Sequence, residues 1–159
     1  MATAVSTLSR NLLRLTAGVD WSLKPGEGEE AMSPDLKLLV WSTALAAVQM
    51  VIAVLGAMLQ VGLPKLIGNR EDMPAIVGWA GRAERAHRNM LESLVLFAAL
   101  VLVAQVAGKA NATTALGAQL FFWARLVYAP VYLIGIPWLR TGVWTVSVIG
   151  LVLIFLQLV

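Results

Sequence analysis

The chain has 159 residues, with 12 Lys+Arg, 9 Asp+Glu, one His and no Cys; 59% of it is hydrophobic and 13% charged. Soluble domains carry about 25% charged residues, so this composition cannot clothe a water-soluble monomer and points to one domain that lives in lipid. The missing Cys excludes a disulfide framework, a thiolate nucleophile and a zinc–sulfur site, the single His excludes a multi-histidine metal centre within one chain, and no Lys/Arg-dense stripe marks a nucleic-acid face.

Residues 1–36 read as an N-terminal extension. On a helix, Val5, Leu8, Leu12, Leu15 and Val19 share one arc with Arg10 opposite, the pattern of a helix lying on a bilayer. Arg10, Arg14, Ser6 and Ser9, with no acid before Asp20, equally suit a targeting presequence. A polar linker from Lys24 to Glu30 follows, and Met32 resembles a natural start.

Charge-free runs organise the remainder, 37–159. Residues 38–64, 93–108 and 141–159 carry no charge, and 110–139 carry only Arg125. At 1.5 Å per residue a crossing of a hydrocarbon core of about 30 Å needs about 20 residues; the run 93–108 is shorter, but a helical stretch rich in charge precedes and lengthens it. Four transmembrane helices are expected, near 37–59, 80–107, 112–134 and 141–159. Gly62 with Pro64, Gly108 with Asn111, and Gly135 with Pro137 supply turn chemistry between them. The fold class is therefore an all-α membrane protein, a bundle of four transmembrane helices. Lys65, Arg70, Arg82, Arg85, Arg88 and Arg140 lie at the 1–2 and 3–4 connections, against Lys109 and Lys37 beside the spans at the other end, with Arg10, Arg14 and Lys24 further back. The excess of Lys and Arg makes those two connections cytoplasmic.

The second span begins with a polar stripe. Arg82, Arg85, Asn89 and Glu92 fall within about 80° of one another on a helix, while His87 points away and Arg88 sits at the edge. Ionisable groups at membrane depth cost several kcal/mol and are functional candidates by default. The bland alternative is an internal salt-bridge ladder, with Arg85 or Arg88 paired to Glu92. On the third span Arg125, Tyr128 and Tyr132 share one face. An interfacial aromatic belt would explain the tyrosines. Arg125 needs a partner, and the sequence offers Glu92, another chain or a ligand.

The run Arg85-Ala86-His87-Arg88-Asn89-Met90-Leu91-Glu92 on the second of four spans resembles the signature of the MAPEG family, the membrane-associated proteins of eicosanoid and glutathione metabolism. Gly68-Asn69-Arg70 with Pro74, Gly78-Trp79-Ala80-Gly81-Arg82, and Arg125 through Tyr132 followed by Pro137-Trp138-Leu139-Arg140-Thr141 resemble its bacterial branch. The likeness covers about 32–159.

The resemblance implies a homotrimer of four-helix protomers in membrane lipid, here a bacterial inner membrane, with glutathione as co-substrate between adjacent protomers and no metal. It implies that Arg82, Arg85, Asn89, Glu92 and Tyr132 contact glutathione, with Arg125 and Tyr128 on the same face. Arg140 and Thr141 fall where glutathione-activating members carry an Arg followed by a hydroxyl residue, which makes them the catalytic candidates. Side-chain chemistry agrees with this. Glutathione brings two carboxylates and one ammonium, Arg forks grip carboxylates bidentately, and Glu92 suits the amine.

Trp144 stands where eicosanoid-active members often carry Tyr, and Tyr128 where some carry His. The expected activity is a glutathione-dependent transferase or peroxidase acting on lipophilic electrophiles or lipid hydroperoxides. The alternative is a non-catalytic lipid-binding or accessory subunit, docked to a larger membrane complex through residues 1–31. An anion pathway is disfavoured, since the chain has neither a broken-helix pair nor an internal repeat.

Overall fold

A computed structural model describes residues 32–69 and 73–159, which belong to one unit, Met32–Val159. The amphipathic helix expected near the N-terminus and Arg70 lie outside the described residues. Five helices follow in order: α1 (Pro34–Val61), the short α2 (Leu63–Ile67), α3 (Gly78–Val106), α4 (Ala112–Ile134) and α5 (Pro137–Leu158). No strand occurs among the described residues. The helices α1, α3, α4 and α5 are each long and apolar enough to cross a membrane, so the chain is an integral membrane protein.

Local chemistry sets the ends. Ser33 caps α1 by accepting the Leu36 N–H, and Pro34 fills a first-turn position where no N–H is needed. This starts the helix inside the stretch read as extension. Gly62, at φ 81°, breaks α1 from α2. Asn111 and Thr114 form a reciprocal capping box on α4, and Gly135 ends that helix at φ 90°. Helix α5 begins four residues before the expected 141, because Pro137 opens it and the Arg140 N–H already bonds the Ile136 carbonyl.

The bundle is amphipathic in reverse. Helix α1 buries Asp35, Ser42, Ala46, Gln49, Gly56 and Ala57, while Trp41, Val48, Val54, Leu55 and Leu59 stay exposed. Membrane helices pack through small residues because lipid competes for the large apolar ones. The closest crossing joins α4 to α5. A Cβ on Gly150 would lie 2.5 Å from the Gly117 carbonyl oxygen, and one on Gly117 would lie 2.6 Å from that of Gly150. Deeper in, Phe97 of α3 stacks on Phe121 of α4 with centroids 4.1 Å apart, beside Met90, Val101, Ala118 and Ile154. Helix α3 touches α1, α4 and α5.

Candidate functional site

Helix α3 carries the stripe, and its neighbours complete it. Arg82 donates from Nε to the Leu133 carbonyl of α4 at 2.7 Å, and its side chain lies along Gly135. The last carbonyls of a helix lack intrahelical donors and form its negative end, so the guanidinium seals α4 there. Arg82 is thus partly committed to holding two helices together.

About two helical turns deeper, Arg125 is 1% exposed. Its Nη1 donates to Asn89 Oδ1 at 2.6 Å. The partner is therefore Asn89 of the same chain, which corrects the choice between Glu92, another chain and a ligand. A neutral amide serves because it quenches a donor without burying a second charge. The guanidinium also lies 5.5 Å from the Phe121 ring centroid and 5.4 Å from that of Tyr128. Its Nε is buried without a hydrogen-bond partner.

The run continues to α5. Tyr128 is buried, its ring 5.4 Å from that of the half-buried Tyr132. Arg140 then stands over Tyr132 at 4.7 Å. Asn89, Arg125, Tyr128, Tyr132 and Arg140 form one unbroken chain of contacts across three helices. Arg85 and Glu92 are exposed on α3 and make no ion pair among the described residues. The alternative of a ladder from Arg85 or Arg88 to Glu92 is not formed among the described residues; Arg88 pairs instead with Glu84, 3.1 Å away, on the exposed flank. Glu84–Arg88 and Arg88–Glu92 are both spaced by four residues, and Glu84 before Arg88 is the order in which each charge also faces the favourable end of the helix dipole.

Thr141 is exposed, and its hydroxyl donates to the Pro137 carbonyl at 3.1 Å. Serving a ligand requires that rotor to turn. His87 faces the other flank. With Glu84 it contributes the polar part of a cavity of about 380 Å³ that also includes Met50 and Met58 of α1 and Leu63 and Ile67 of α2. The loop before α3 is held there by Gln60, whose amide both donates to the Val77 carbonyl at 2.8 Å and accepts the Val77 N–H at 3.0 Å.

Sequence reading missed the polar residues buried where helices meet: Gln49 and Ser42 of α1, and Asp35 with Thr114. Their signal was present, because Asp35, Ser42, Ala46, Gln49 and Gly56 recur at steps of three, four and seven along α1. The model of the MAPEG family matches residues 38–159. Comparison with curated proteins and with solved structures gives no match.

Proposed function

The chain belongs to the MAPEG family, and from that premise we propose that it is a glutathione-dependent membrane transferase or peroxidase acting on lipophilic electrophiles or lipid hydroperoxides. One observation carries the reading. Arg125 and Arg140 belong to one run of contacts with Asn89, Tyr128 and Tyr132, Arg82 and Arg85 lie on the helix α3 that supplies Asn89, and none of these four arginines has an acidic partner among the described residues; Glu92 of the same helix is exposed and makes no ion pair among them. A ligand with two carboxylates and one ammonium complements that charge set, and glutathione is such a ligand. The exposure of Arg85 and Glu92 suits a ligand held against an adjacent copy in a homotrimer, with this end of the bundle on the cytoplasmic side of a bacterial inner membrane.

In this reading Arg85 grips a carboxylate, Glu92 takes the amine, and Tyr132 with Arg140 shapes the sulfur end. A free thiol has a pKa near 8.5, and each unit by which a cation lowers it reflects about 1.4 kcal/mol. Arg140 supplies that cation. Conjugation forms a carbon–sulfur bond while the leaving group departs with its electron pair. On a hydroperoxide the thiolate takes the distal oxygen and the O–O bond breaks. The alkoxide is protonated to the alcohol, and a second glutathione condenses with the sulfenic acid to give disulfide and water.

Calorimetry with glutathione on the detergent-purified protein tests this. Native protein binds, Arg85→Ala abolishes binding, and Arg140→Ala binds without the ultraviolet absorbance of a thiolate. Absence of binding at millimolar glutathione overturns the proposal. The second reading, a non-catalytic lipid-binding or accessory subunit, draws on the Thr141 hydroxyl being spent on Pro137. It is separated by turnover of a model electrophile, which only the enzyme shows.

A further inference from the structure

A different polar site lies at the opposite end of the bundle, where α1 begins beside the start of α4. Asp35, in the first turn of α1, is 2% exposed. Its Oδ2 accepts the Thr114 hydroxyl at 2.8 Å, while Oδ1 is buried without any partner. The Asn111 carbonyl, at 2.9 Å, competes for the same Thr114 proton, so the carboxylate holds at most one hydrogen bond. No cation pairs with it among the described residues. Lys109 donates to the Leu158 carbonyl at 2.6 Å, and Lys37, two residues along the helix from Asp35, projects about 200° away. A buried carboxylate without a counter-charge is costly, and here an adjoining space exists to relieve it.

That space is a pocket of about 230 Å³ lined by Asp35, Ser33, Pro34, Asn111 and the alanines 110, 112 and 115. One water takes about 30 Å³ of liquid, so the pocket holds more than a water. A hard divalent ion wants six or more oxygens, and one carboxylate among alanines does not provide them. A primary ammonium on a short methylene chain suits that lining, its carbons against the alanine methyls and its N–H on the Asp35 carboxylate once the buried Oδ1 turns toward the pocket. Depth agrees. The 28 residues of α1 reach about 42 Å at 1.5 Å each, beyond a hydrocarbon core of about 30 Å, so α1 has length to spare for a first turn at the level of the lipid headgroups.

We propose that this pocket binds a primary ammonium group, presented by the ethanolamine headgroup of a membrane phospholipid, with Asp35 as the acceptor. A choline headgroup has no N–H to offer and is rejected. A small free amine carries the same chemistry as ethanolamine lipid, and the experiment separates the two. The site is independent of the glutathione reading, since none of its residues belongs to the Arg stripe.

Native mass spectrometry of the full chain, released from detergent with added phosphatidylethanolamine or phosphatidylcholine, reads lipid retention directly. Native protein retains the ethanolamine lipid about tenfold better, the least that a hydrogen bond to a charged group implies. Asp35→Asn reduces this preference to parity. Free ethanolamine that displaces the lipid shows that the amine alone is recognised; failure to displace it assigns the lipid as the ligand. Equal retention of both lipids by native protein overturns the proposal, as does a folded Asp35→Asn that keeps the preference. Should Asp35→Asn fail to fold, Ala112→Leu decides. It fills the pocket while leaving the Asp35–Thr114 bond intact, and a preference that survives it refutes the site.

Discussion

Replacing Asn89 by Ala leaves the buried Arg125 guanidinium without its one hydrogen bond among the described residues. Hydrogen bonds to charged groups contribute about 1.5–3 kcal/mol, and interhelical bonds in membranes average about 0.6 with a maximum near 1.7. The 2.6 Å bond with a charged, 1% exposed donor belongs at the overlap of those ranges, about 1.5 kcal/mol of coupling. The measurement is a double-mutant cycle of Asn89→Ala and Arg125→Met, by denaturant titration in mixed micelles followed through tryptophan fluorescence. Asn89→Ala costs about 2–3 kcal/mol in the native background, since an orphaned charge adds its own penalty. With Arg125→Met already present it costs only about 1 kcal/mol, because no charge is left to orphan. An equal cost in both backgrounds refutes the argument and leaves Arg125 held by its rings alone.

Other outcomes follow from single contacts. Gly150→Ala drives a methyl onto the Gly117 carbonyl and destabilises the protein by about 1–3 kcal/mol in the same titration, whereas Gly142→Ala meets nothing within 4 Å and is neutral or stabilising. Arg88→Ala changes stability by less than about 0.5 kcal/mol, because its pairing with Glu84 is exposed. Thr114→Val removes the partner of Asp35 and costs about 1–3 kcal/mol, again by denaturant titration.

The four crossings were legible because length and lack of charge decide them, and the family motif on α3 located the stripe. The start of α5 was displaced because charge was used as the boundary, although Pro137 and Arg140 are both helical. The need of Arg125 for a partner was legible as well; the identity of that partner was not. Which residue of α3 meets which of α4 depends on the register of two packed helices, and periodicity within one helix carries no information about it. Asn89 and Arg125 stand 36 positions apart. The same holds for Arg82, whose bond to Leu133 needs the end of α4 to be in place first. Thr141 illustrates a third case, a hydroxyl whose local carbonyl competes with any ligand.

The inverted arrangement of side chains, small and polar within and large and apolar without, bears on how the protein responds to temperature. The heat capacity of unfolding in soluble proteins comes from apolar surface meeting water, about 0.45 cal/mol/K for each Å². Here Trp41, Leu59, Ile134 and Trp138 already face outward, toward hydrocarbon in a bilayer or micelle. Separating the helices in that medium wets little of their surface, so the heat-capacity increment is small. The stability curve is then nearly straight rather than domed, with no unfolding on cooling. Its slope is set by the enthalpy of close contacts such as Gly117 on Gly150 and Phe97 on Phe121.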